Sequence, residues 1–508
     1  MSDDLLVSID EAFGASQREI APRRQRVFST VVAPDVEDVR GDDDATASEA
    51  EGSKLWDRIP WVELFVGVQF LWGALLFAPG AQSYRGYIRA LPYLSSLGLL
   101  LLYLARRSQA ARPRSSALLM SGLFLLVLNL LHPTSQLTAG LAQCVFQLSI
   151  AAPMFWAFKA IKSTRQLERL IVLMFLMNFL SAGLGILQVY FPDRFLPPQF
   201  SFQLSESYLG TLSYVGNDGR MIIRPPGLSD IPGGASVAGG LTALLGLGLM
   251  LRRRTATQML AILGAVGIGM AVVYLTQVRS VLLMVVGAAA ALGFVAFRRG
   301  RVAGGARILG IGGALVVASF LWASSLGGAA VDERFLNLRQ AGAIRTYQEN
   351  RGNFLAYTVS DLLDQFPFGA GVGRWGMMNT YFADPAAFRS APIHVEIQLT
   401  GWLLDGGWPM WILYGSAIVL SLFVALSLTA ARDPHLVDSA LVVLAVQVFI
   451  AGMAMAGPVF NTQLGILFWL LTSAVQGASN GSDAQAEAWA RASDQEPDEE
   501  AATGFVAR

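Results

Sequence analysis

Apolar runs long enough to cross a bilayer as helices recur along almost the whole chain. A helix rises about 1.5 Å per residue, so about 20 apolar residues span a hydrocarbon layer about 30 Å thick. Twelve such stretches can be read, near residues 61–78, 91–105, 117–131, 141–158, 170–190, 233–251, 259–276, 281–297, 308–326, 397–429, 440–455 and 464–475. Runs such as 97–104 and 281–291 are continuous, whereas the strands of a membrane β-barrel alternate apolar and polar residues over about ten positions. Charged residues are 15% of the chain, against about 25% in a soluble protein. The expected class is all-α, a polytopic integral membrane protein of about 12 transmembrane helices. The tenth stretch is too long for one crossing, and its first residues are expected at the interface.

Orientation follows from lysine and arginine in the short loops, which favour the cytoplasmic side. Alternate loops carry Arg106, Arg107, Arg112 and Arg114, then Lys159, Lys162, Arg165 and Arg169. The pattern continues with Arg252, Arg253 and Arg254, then Arg298, Arg299, Arg301 and Arg307. The intervening short loops 132–140 and 457–463 carry neither residue, although the first loop of that set holds Arg85 and Arg89. Both tails are therefore expected in the cytoplasm. Residues 1–57 are polar, acidic in part and without a signal-peptide core, and they are expected to be disordered, as is the tail 477–508. The part between, 58–476, is the membrane domain. Two outer loops, 191–231 and 327–394, are too long to be mere connectors. The second has a helical pattern over 345–365 and a glycine-rich turn at 368–373, and reads as a large folded outer loop between helices 9 and 10.

With formal net charge +0 the chain has no electrostatic footprint for nucleic acid. Three histidines and one cysteine, Cys144, make a dedicated zinc site improbable, and no cofactor is implied. Three features could carry chemistry. Arg279 sits in Tyr274-Leu-Thr-Gln-Val-Arg-Ser280, a break of few residues between two spans; an ionisable residue there is either functional or an interfacial arginine reaching headgroups. His394 stands where the second outer loop re-enters the membrane and could act as a general base near neutral pH. The outer loops also hold Arg224, Arg334, Arg339, Arg345, Arg351, Arg374 and Arg389. An anion at the outer face would account for them, because guanidinium forks match phosphate oxygens. For Arg334, Arg339 and Arg389 the plainer reading is pairing with Asp332, Glu333 and Asp384. Glycines 246, 248, 264, 267 and 269 suggest close helix packing.

Several blocks together resemble the O-antigen ligase and Wzy-type O-antigen polymerase family. They are Leu275-Thr-Gln-Val-Arg-Ser280, Asn350-Arg-Gly-Asn-Phe354 with Phe366-Pro-Phe-Gly-Ala-Gly-Val-Gly373, His394 with 399–407, and Arg224-Pro-Pro-Gly227. The resemblance covers roughly 224–429. Val278, Ser280 and Val395 depart from the family pattern, and Asp405 stands where a glutamate is usual. The resemblance implies a glycosyltransferase of the bacterial inner membrane acting at the periplasmic face. Its donor would be an undecaprenyl-diphosphate-linked oligosaccharide, and its acceptor a hydroxyl on a glycan or on lipid A–core, with membrane lipids around it. It further implies His394 and Arg279 as catalytic residues, Arg351, Arg345 and Arg224 on the diphosphate, inversion at the sugar, and no metal. Ligase and polymerase both remain open, with a polymerase or exopolysaccharide-type function slightly favoured, and a multi-spanning secondary transporter or flippase is the alternative from another class.

Overall fold

The structure, a computed structural model, describes residues 59–494 except 79, 107–110, 197–212, 230–232, 253 and 385–392. The tail 1–57, the end 495–508 and Arg389 lie outside the described residues, as does the side chain of Arg339. Residues from Pro60 onward form one unit, and it is almost wholly helical. In chain order its main helices are α1 (Trp61–Leu75), α2 (Arg85–Leu104), α3 (Ser116–Leu128), α4 (Leu137–Ala160) and α5 (Thr164–Tyr190). A two-stranded antiparallel hairpin, β1 (Ser213–Val215) and β2 (Met221–Ile223), follows, with Tyr214 opposite Ile222. Then come α6 (Ala235–Leu249), α7 (Ala256–Leu275), α8 (Arg279–Arg298), α9 (Val302–Gly327) and α10 (Ala329–Ala341). The chain continues through α11 (residues 343–365), α12 (Gly376–Phe382), α13 (Gln398–Leu428), α14 (Pro434–Met453) and α15 (Gln463–Asp494).

Eight of these helices are long and apolar enough to cross a membrane, namely α2, α4, α5, α7, α8, α9, α13 and α14. Three shorter apolar helices, at Trp61–Leu75, Ser116–Leu131 and Ala235–Leu249, accompany them. Their outward faces carry large apolar side chains such as Leu101, Phe124, Phe294 and Leu321, a surface that hydrocarbon tolerates and water does not. The helices themselves follow from satisfied backbones and local start signals. Thr255 and Gln258 form a reciprocal capping box at the start of α7, and Asp433 caps α14 ahead of Pro434.

Glycines set the closest crossings. A Cβ on Gly239 would fall 2.4 Å from the Gly269 carbonyl oxygen, so α6 and α7 meet backbone to backbone. Gly246 and Gly248 are likewise pressed against Val266 and Val442, whereas Gly264 faces open space and Gly267 only a distant Leu315. The expected tail from residue 477 is corrected in part. Helix α15 continues to Asp494 because Gly477 and Gly481 let it lie on the backbone of 158–162, and the following Ala- and Glu-rich sequence favours helix.

One end of the bundle gathers the basic loops. Arg252 pairs with Glu168 and, at 3.5 Å, with Asp438; Arg301 also pairs with Asp438, and Arg254 lies 3.6 Å from Glu168. Other cations cover helix C-termini, whose last carbonyls have no partner within the helix. Arg307 donates to the Met250 carbonyl at 3.0 Å, Arg299 to Leu426 at 3.4 Å, and Lys159 to Tyr103 at 2.9 Å. Glu168 and Asp438 are each shared by two arginines there, and Asp438 is the more buried of the two. Asp438→Asn is expected to lower stability by about 2 kcal/mol, below the value for a sealed pair because the guanidiniums keep some water. Thermal melting of the detergent-purified protein reads this directly, and an unshifted melt would show the network to be energetically idle.

The tenth apolar stretch is broken. Gly406 (φ −162°, ψ 15°) and Gly407 (φ 67°, ψ −158°) interrupt α13, which restarts at Trp408 and Pro409. The first residues of the stretch thus form a short helix, 398–405, followed by the long one. The two-stranded hairpin lies within the long loop 191–231 and leaves the chain mostly helical, consistent with the all-α expectation.

Candidate functional site

Opposite the basic end lie the hairpin, the start of α8, α10, α11, α12 and the extended segment before α13. Arg279 is the first residue of α8 and is half-buried. It follows Gln277, whose φ of 57° is the sole left-handed non-glycine conformation among the described residues. This tight reversal holds the arginine at the helix N-terminus rather than in a mobile loop. Arg224 leaves β2 into a segment fastened to its neighbours. Its carbonyl accepts from Gly233 N at 3.0 Å, and Gln188 exchanges two hydrogen bonds with Gly227 at 2.8 and 3.1 Å.

Arg334, on α10, completes a cluster with these two. Burial, together with the nearby guanidiniums of Arg279 and Arg224, holds Arg334 below the ordinary guanidinium value. Burial also lowers Arg224, which the Tyr214 hydroxyl faces. The Nε atoms of Arg224 and Arg334 are buried without a hydrogen-bond partner. Among the described residues no carboxylate pairs with any of the three. The expected pairing of Arg334 with Asp332 or Glu333 does not form. A grouping of this kind, with donors unused on Arg224 and Arg334, can accept an anion.

A second group forms around Glu396. Its Oε1 lies 2.6 Å from His394 Nε2, and its Oε2 pairs with Arg351. The Phe354 ring packs 6.2 Å from the imidazole. Arg351 belongs to a π-helical segment, Gln348–Gly352, and a second one, Thr358–Leu362, follows in the same helix. Such one-turn widenings re-aim side chains and recur at functional sites. Burial lowers Arg351 from its ordinary value, and Tyr347 beside it is raised by burial. His394 itself is largely exposed, with 73% of its side chain accessible, so an acceptor can reach it. Arg345, two turns earlier, is different: it is exposed and paired with Glu349 one turn away, apart from both groups.

The glycine-rich turn packs between residues 129–140 and the break in α13. Gly369, Gly371 and Gly373 all have left-handed φ, and a Cβ on Gly371 or Gly373 would fall 2.8 Å from Ser135 N or 2.5 Å from Gly140 N. Hydrogen bonds sew the turn into the helices: Ala370 N to the Leu404 carbonyl at 2.7 Å, Trp408 N to the Pro367 carbonyl at 3.0 Å, and Thr134 Oγ1 to the Ala370 carbonyl at 2.5 Å. His132 only positions Thr134, at 2.9 Å. Asp405, fully buried at the break in α13, accepts from Trp375 Nε1 at 2.8 Å, while its Oδ2 has no hydrogen-bond partner. Arg374 is buried within the turn, donating to Ala370 O at 2.9 Å, and is thus structural.

Sequence reasoning counted Arg334 among the loop arginines but read it as paired, and it missed Glu396. The acidic neighbours Asp332 and Glu333 disguised the first. The second was detectable, because residues two apart in an extended segment point to one side, which puts Glu396 beside His394. Among the described residues no group of three or more His, Cys, Asp or Glu side chains could hold a metal ion. Compared with known protein families and with curated proteins, the chain matches none of them.

Proposed function

We propose that this protein is a glycan transferase of the bacterial inner membrane, with twelve spans and both tails in the cytoplasm. It moves an oligosaccharide from an undecaprenyl-diphosphate carrier to a hydroxyl acceptor at the periplasmic face, as a polysaccharide polymerase or an O-antigen ligase. The observation that carries this reading is the cluster of Arg224, Arg279 and Arg334 without counter-ions, at the same end of the bundle as an accessible histidine. The family resemblance supplies the chemical identity of the anion.

In this mechanism the arginines hold the diphosphate of the donor and stabilise the charge that develops as it leaves. His394 accepts the proton of the acceptor hydroxyl as that oxygen attacks the anomeric carbon. The new glycosidic C–O bond forms as the bond to the carrier diphosphate breaks, in one displacement that inverts the anomeric centre. The diphosphate departs readily once its charge is held by guanidiniums, so the step calls for no metal.

A second reading has its own support. A broken helix with a buried carboxylate, here Gly406–Gly407 and Asp405, is a device of secondary transporters. One experiment separates the two: glycan profiling of a deletion strain complemented with wild type or His394→Ala. Long-chain glycan lost in the deletion and in the variant, and restored by wild type, supports the transferase. Acceptors capped with a single repeat would then mark a polymerase, and bare acceptors a ligase. Normal glycan with His394→Ala at matched protein level would refute the assigned base and turn attention to transport across vesicles.

A further inference from the structure

Glu396 divides its carboxylate between two partners of different kinds. Oε1 faces the imidazole of His394 at 2.6 Å, and Oε2 faces the guanidinium of Arg351. Among the described residues no other carboxylate pairs with Arg351, and the three residues come from two separate elements, α11 and the extended segment before α13. The Arg345–Glu349 pair in the same helix offers a contrast. It joins successive turns, with both side chains more than half exposed, and such a pair does little beyond helix support. In the Glu396 pair 26% of the glutamate side chain and 39% of the arginine side chain are accessible, so each is partly desolvated and leans on the other. An incoming phosphate offers Arg351 more charge and a matching fork of oxygens than a single carboxylate does.

We propose that Glu396 is an exchangeable counter-ion: it neutralises Arg351 in the empty site, gives it up to the phosphate of an anionic donor, and is then left to act on His394 alone. This inference rests on the transferase reading for its donor. Arrival of the donor thereby alters the base. With Arg351 drawn to the phosphate, the full charge of the carboxylate faces the imidazole and favours its taking up a proton. The same contact fixes the ring. With Nε2 directed at Glu396, Nδ1 is the nitrogen free to receive the acceptor's proton. Glu396 is thus a positioning residue that acts through His394, and a competitor for the donor at Arg351.

Two opposed effects of one substitution test this. In the full-length protein in lipid nanodiscs, Glu396→Gln removes the charge and keeps the shape. Calorimetric titration with inorganic diphosphate is expected to show about fivefold tighter binding than wild type, the scale of one partly exposed ion pair. Adding Arg351→Ala should erase that gain. In transfer assays Glu396→Gln should lower kcat about tenfold or more, leave the donor KM unchanged or lower, and cause no further loss in a His394→Ala background. A merely structural glutamate would raise KM and lower kcat together. Unchanged or weaker diphosphate binding by Glu396→Gln overturns the inference, as does additional loss on top of His394→Ala. If wild type binds diphosphate but transfers no glycan, the transferase reading fails, while the binding comparison still decides the counter-ion. If wild type transfers glycan and Glu396→Gln matches it in every measurement, the inference alone fails.

Discussion

Arg279→Ala is expected to lower glycan transfer about 10²- to 10³-fold at matched protein level, the size of losing one well-placed donor to developing negative charge. The position in which the side chain is held accounts for this size. It begins α8, directly after the left-handed Gln277, so its guanidinium is added to the partial positive charge of a helix N-terminus. Arg334 feels the like charge of both Arg279 and Arg224, and an anion relieves that repulsion as well as gaining hydrogen bonds. Arg279→Lys should recover only part of the loss, since an ammonium lacks the planar fork. Arg334→Ala should cost about tenfold, as a more distant electrostatic contribution. Arg220, exposed on the hairpin turn and paired with Asp218, is the control whose removal should leave transfer intact. Activity of Arg279→Ala within about twofold of wild type, well short of the loss of a transition-state donor, would remove the cluster from the mechanism.

Gly407→Ala is expected to destabilise the protein by about 4 kcal/mol or more, enough to abolish the folded, monodisperse peak in detergent. Two penalties add. The backbone there has φ 67°, which a side chain resists at about 1 kcal/mol. The added Cβ would also lie 2.0 Å from the Pro367 carbonyl oxygen and 2.5 Å from Phe368 Cα. Those are backbone atoms of a turn pinned on both sides, so neither can swing aside as a flexible side chain would. Gly376→Ala separates the two effects. Its φ is 69°, but nothing lies within 4 Å of the added carbon, so only the conformational penalty of about 1 kcal/mol remains. Melting curves for the two variants should therefore differ widely, and equal shifts would show that the fit between turn and broken helix contributes nothing.

The helices were legible because crossing a membrane imposes a length and a composition that few other structures require. What the apolar pattern could not reveal was interruption. The break in α13 depends on two adjacent glycines that leave mean hydropathy almost unchanged, and its cause is the turn at 367–373 docking some forty residues earlier in the chain. The length of helix α15 was hidden for the opposite reason: beyond Gly477 its sequence is polar enough to resemble a tail, yet Gly477 and Gly481 seat it on the backbone of 158–162. In the candidate site, Arg279 and His394 stood out as isolated polar residues at the ends of apolar runs. Arg334 did not, because Asp332 and Glu333 beside it offered partners in sequence that the fold does not use. Proximity along the chain misled there, whereas the i, i+2 relation of His394 and Glu396 carried real information about which side chains share a face.

The cations at the basic end have a consequence for how the chain is assembled. Lys159, Arg299 and Arg307 each hold a carbonyl at the end of another helix, while belonging to the loops whose charge sets orientation. One set of residues thus serves both the insertion machinery and the finished fold. A helix pair threaded the wrong way round relative to the rest would strand its cation on the far side and leave another helix end without its donor. An error of insertion would then also be an error of folding, visible to the proteases that survey membrane proteins.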